Sequence, residues 1–140
     1  MWCVPAINVE FVERMEDVLR LYARPYRESE PVVCLDERPV VLRDAARSGS
    51  AMRPGRPTRS DYEYVRNGTA NIFCIVELKT GRRLTHATAQ RTKCDFARAL
   101  HRISKAYPKA KRIHLVADNL STHTEKACIE TFGLRRGRAL

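Results

Sequence analysis

A chain of 140 residues, 44% hydrophobic and 30% charged, has the size and composition of one globular domain with enough apolar material to bury a core. No window approaches the roughly 20 continuous apolar residues that span a bilayer. "MWCVPAINVEFVERMED" also lacks the basic start and long apolar run of a signal peptide, so the expectation is a cytoplasmic protein. The net charge of +10 points to polyanions, nucleic acid being the commonest, although a basic solvated surface has the same composition.

In chain order, residues 9–23 carry Phe11, Met15, Val18, Leu19 and Tyr22 at helical spacing. Asn8 as N-cap and Pro25 as stop complete the prediction of an amphipathic helix. "PVVCLDERPVVL" (31–42) predicts a strand that bends or pairs onward after Asp36. Residues 43–66 hold six arginines together with two prolines and two glycines, which predicts a long surface loop. "GTANIFCIVEL" and "RRLTHATAQ", joined by "KTG", predict a β-hairpin. Thr92 with Asp95 forms a capping-box pattern opening a helix whose face is Phe96, Leu100, Ile103 and Tyr107, and Pro108 stops it. "RIHLVADN" is the next strand, and Thr122 with Glu125 is expected to cap a last helix through Phe132. The remainder, "GLRRGRAL" (133–140), has no apolar face and is expected to be a basic tail.

A strand–helix–strand unit implies parallel pairing and the hairpin implies antiparallel pairing, so the expected fold is α/β with a mixed sheet flanked by helices. A phosphoacceptor domain, which also gathers strand-end aspartates around Mg²⁺, would need regular alternation of strands and helices; the hairpin argues against it. The five cysteines (Cys3, Cys34, Cys74, Cys94, Cys128) form no C-x-x-C pair and are odd in number. They support neither a zinc site nor a disulfide framework, and small apolar filler in a reducing compartment is the expected role.

Two apolar runs end in aspartate, "VVCLD" at Asp36 and "HLVAD" at Asp118. On adjacent parallel strands about 4.8 Å apart, the two carboxylates would emerge at one sheet edge. Like charges that close call for a proton or a cation between them, and hard oxygen ligands suit Mg²⁺ or Mn²⁺. Helix caps and turns leave the same trace in a sequence. Asn119 is a turn residue or a ligand neighbour, and His123 is expected as a solvated residue of a first helical turn, with a metal or phosphate role, one layer behind the direct ligands, as the alternative. Glu37 points to the other face of its strand and is expected as a surface charge. "MRPGRPTR" spaces Arg53, Arg56 and Arg59 at intervals of three, held extended by Pro54 and Pro57, with Tyr62, Tyr64 and Arg66 following. Cations interleaved with aromatics suit phosphate contacts and base stacking, whereas a solvated loop is the bland reading.

Together "CLDERPV", "MRPGRPTRSDYEYVRNGTANIFCIVEL", "GRRLTHATAQRTKCDFARAL" and "YPKAKRIHLVADNLSTH" resemble the catalytic core of bacterial insertion-sequence transposases of the mariner-related Asp-Asp-Glu (DDE) superfamily. The resemblance runs from about Met1 to Phe132. It implies a ribonuclease H-like fold, with Asp36 and Asp118 as catalytic, metal-binding carboxylates for Mg²⁺ or Mn²⁺. It also implies phosphodiester cleavage and strand transfer on double-stranded DNA at transposon ends, in a homodimer. On this reading residues 1–28 are a linker helix, residues 29–132 a partial core, and residues 133–140 a tail of frameshifted character. Two departures stand out. No DNA-recognition helices precede the core, and Leu140 lies only 22 positions beyond Asp118, whereas the family carries a third acid some thirty-odd residues on. Glu125 and Glu130 come too early to replace it. The expectation is a C-terminally truncated ribonuclease H-like sheet, either an incomplete transposase or a catalytically inactive nucleic-acid-binding remnant.

Overall fold

The computed structural model describes residues 7–118 and 120–138. Four strands form one sheet in the order β3-β2-β1-β4. Strand β1 (Val32–Ala45) pairs antiparallel with β2 (Tyr64–Glu77), β2 pairs antiparallel with β3 (Arg83–Thr88), and β1 pairs parallel with β4 (His114–Val116). This is the mixed sheet expected from the hairpin and the strand–helix–strand unit.

Strict alternation on β1 and β2 sends Val33, Leu35, Phe73 and Ile75 to one face, where they form the core with Phe96, Ala99 and Ile103 of α2 (Lys93–Ala106) and Ala127 of α3 (Glu125–Phe132). Such a period-2 pattern is what a sheet with one buried face requires. The α2 capping box is present as expected. Thr92 Oγ1 accepts from the Asp95 amide at 3.3 Å and the Asp95 carboxylate accepts from the Thr92 amide at 3.0 Å, an arrangement whose removal costs about 1 kcal/mol.

Helix α1 (Val9–Ala23) has its Asn8 cap, with Asn8 Oδ1 accepting from the Phe11 amide at 2.8 Å. Its apolar stripe is not a core face: Phe11, Met15 and Leu19 are exposed, and the link to the sheet is Tyr22, whose hydroxyl lies 3.5 Å from Cys34 Sγ. That contact and burial push the Tyr22 hydroxyl up to about 12.

Several expectations need correction. Pairing onward after Asp36 is as expected, but the β1–β2 ribbon reaches into the segment expected as a loop, because Arg43, Asp44 and Ala45 pair with Arg66, Val65 and Tyr64 after an irregularity at Val41/Arg43. Asp36 is therefore in mid-strand. The N-cap of α3 is Thr124, not Thr122: its hydroxyl accepts from the Ala127 amide at 3.3 Å. Residues 134–137 are a short helix, α4 (Leu134–Gly137), rather than a tail, with Gly137 buried against the backbone of Ile129. Cys94 is exposed and so fills nothing, while Cys34, Cys74, Cys94 and Cys128 are free thiols. Among the described residues no helix is long and apolar enough to cross a membrane.

Candidate active site

The last rung of the parallel β1–β4 ladder is Cys34 opposite Val116. Asp36 and Asp118 each lie two residues beyond it, at matching positions of neighbouring parallel strands. β1 continues past this point while β4 stops, so Asp36 sits on a rigid ladder opposite Cys74 of β2, and Asp118 opens the connection to α3. Each aspartate commits Oδ1 within the chain. Asp36 Oδ1 accepts from the Glu37 amide at 2.8 Å, and Asp118 Oδ1 lies 2.9 Å from His123 Nδ1.

His123 is the residue whose setting differs most from expectation. It precedes α3, its side chain is only 5% exposed, and its ring stacks on Phe96 with centroids 4.1 Å apart. Nδ1 faces Asp118, and Nε2 lies 3.0 Å from Glu37 Oε1. Glu37 is likewise not a surface charge: its side chain is 4% exposed and Oε2 is buried without a partner among the described residues. Glu37 shares the face of β1 that carries Val33 and Leu35, opposite Asp36, and that is the face α2 covers. Asn119 lies outside the described residues.

Among the described residues no three His, Cys, Asp or Glu side chains cluster so as to hold a metal ion. Glu125 pairs with Arg138 at 3.9 Å and Glu130 with Lys126 at 3.7 Å, both on the surface. The two aspartates alone are a thin but chemically suitable donor set for a hard divalent cation, and among the described residues their hydrogen bonds and ion pairs engage Oδ1.

The arginine segment is not extended. Arg53 and Arg56 exchange backbone hydrogen bonds of 3.0 and 2.8 Å around Pro54-Gly55, and Ser50 pairs with Arg59. Gly55 has φ +74°, the left-handed conformation that the third residue of a Pro-Gly turn needs. The hairpin so formed brings Arg53, Arg56 and Arg59 around one open basin of about 780 Å³. Tyr62 is 89% exposed, whereas Tyr64 lies beneath the Arg43 guanidinium, 4.2 Å from its ring centroid. Arg66 is exposed on β2. Arg47 is tied to Asp61 at 3.7 Å and Glu63 at 3.2 Å.

A mixed β3-β2-β1-β4 sheet with helices packed on it and aspartates at matched positions beyond its parallel pair is a ribonuclease H-like domain. The crystal structure of the Mos1 mariner paired end complex with Mn has this fold, with 20% identity and a TM-score of 0.51. The same complex with Mg matches at 19% identity and a TM-score of 0.49. Both alignments cover 94% of this chain and 42% of the other, so the chain spans less than half the length of the Mos1 chain. Residues 31–135 match the family described as DDE superfamily endonuclease, and the chain belongs to that family. No curated protein matches it.

Proposed function

We propose that this chain is the two-aspartate part of a transposase catalytic domain, acting on double-stranded DNA at transposon ends. The observation that carries the reading is the matched placement of Asp36 and Asp118 just beyond the last rung of the β1–β4 ladder. Asp36 and Asp118 would hold Mg²⁺ or Mn²⁺ through their Oδ2 atoms. A cation so bound supplies activation of a water or 3′-hydroxyl and charge stabilisation at the scissile phosphate. The chain's own contribution is placement: the β1 ladder fixes Asp36, and the arginine basin with Tyr62 and Arg66 grips the DNA backbone. Two copies bringing two ends together is part of the reading, by likeness to the Mos1 paired end complex.

Titration with Mn²⁺ by calorimetry tests it. Asp36→Asn and Asp118→Asn should each weaken binding at least about tenfold, and equal binding by wild type and Asp118→Asn would sink the assignment. A second reading, a catalytically inactive DNA-binding remnant, is favoured by the surface ion pairs that occupy Glu125 and Glu130. A Mn²⁺-supported nicking assay on a pre-cleaved end, with Asp36→Ala as blank, separates the two. Nicking above the blank supports the enzyme, and nicking at the blank level with DNA binding intact supports the remnant.

A further inference from the structure

Glu37 is a carboxylate on the core face of β1, in line with Val33 and Leu35, and burying a charge there is costly unless it is compensated. Its compensation is His123 Nε2 at 3.0 Å. Phe96 of α2 holds the imidazole plane by stacking at 4.1 Å, with 21° between the rings. The opposite ring nitrogen meets Asp118 Oδ1 at 2.9 Å and the Asp118 carbonyl oxygen at 3.0 Å. Asp118 needs such an anchor more than Asp36 does. It follows a three-residue strand, has no ladder partner, and its side chain is 52% exposed. An aspartate in that setting exchanges among χ1 rotamers unless a contact selects one.

We infer that Glu37 is a positioning residue for Asp118, acting through His123. β1, which carries Asp36 directly, thereby also sets the orientation of the second carboxylate, with Phe96 as the backing plate. Carboxylate–imidazole pairs commonly orient a histidine ligand; here the order is changed, and the imidazole orients a carboxylate. This deepens the two-aspartate reading and rests on it only for the metal readout below.

The experiment uses the full chain with Glu37→Leu, which keeps the volume and removes the acceptor, and Glu37→Gln, which keeps an oxygen for His123 Nε2. Three-bond couplings at the Asp118 Cβ protons report its χ1 distribution without any metal. Mn²⁺ affinity by calorimetry is read in parallel, with Asp118→Asn alongside. Wild type and Glu37→Gln should show one Asp118 rotamer. Glu37→Leu should show rotamer averaging and about tenfold weaker Mn²⁺ binding. Should Glu37→Leu not fold, His123→Phe, which retains the stack on Phe96, carries the same expectation. A pair that merely holds the loop would lower stability and leave the Asp118 couplings alone. A single Asp118 rotamer in Glu37→Leu, or an averaged one in wild type, overturns the inference. Loss of the rotamer in Glu37→Leu with Mn²⁺ affinity unmoved by Asp118→Asn would uphold the positioning and remove the metal assignment. The reverse pattern would do the opposite.

Discussion

The arginine basin permits a prediction whose size follows from the structure. Arg53, Arg56 and Arg59 line one open basin, and the hairpin that presents them is held by backbone hydrogen bonds. Replacing all three by Ala should therefore remove charge without remodelling the loop. On B-DNA each neutralised phosphate contributes about −0.9 to the slope of log K against log salt, so the triple variant should lose about 2.7 from the slope. Between about 50 and 200 mM salt, its duplex affinity should then fall about 40-fold less than that of wild type. Arg47 is the internal control, since Asp61 and Glu63 already hold its guanidinium. Arg47→Ala should change the slope by much less than one phosphate's worth. The assay is fluorescence anisotropy of a labelled duplex across a salt series. An unchanged slope in the triple variant, or a flattening by Arg47→Ala as large as that of Arg53→Ala, would refute the reasoning.

Other expectations come from packing and titration. An ideal Cβ on Gly137 would stand 2.5 Å from Ile129 N and Cα, backbone atoms that cannot step aside. Gly137→Ala should cost about 1–3 kcal/mol, seen as a drop of several degrees in the thermal midpoint. Phe96→Ala removes a buried ring from the core and the stack on His123, and should cost about 3–5 kcal/mol by denaturant unfolding. Burial, then the Arg136 and Lys105 cations, holds the His101 imidazole below its ordinary 6.5. The folded state then binds fewer protons than the unfolded state, so this contribution to stability is present above 6.5 and is lost as pH falls below it. Arg136→Ala should move the His101 titration upward, read by NMR, but leave it below the ordinary value because burial remains the leading cause.

The elements legible in the sequence are those governed by local chemistry. The Asn8 cap of α1, the Thr92–Asp95 box of α2 and the hairpin turn at "KTG" each depend on residues within a few positions of one another. The alternation along β1 and β2 was equally plain, because one face of the sheet has to be apolar. What the alternation could not say is which face a helix covers. Glu37 was expected on the surface for that reason, and it lies instead under α2 with His123, 86 positions away, as its partner. Thr124 displaced Thr122 as the cap of α3 because the segment after Asp118 first turns on itself, with the His123 amide donating to the Leu120 carbonyl. The proline-spaced arginines were expected to be extended, but Pro54-Gly55 makes a turn that gathers them. By itself, then, the sequence determined the sheet's composition, its two helix caps and the candidacy of Asp36 and Asp118, since these rest on period, propensity and short-range hydrogen bonds. Only the tertiary structure decided which face of the sheet α2 covers and that a buried glutamate reaches Asp118 through an imidazole. Both depend on contacts between segments far apart in the chain, which no local pattern encodes.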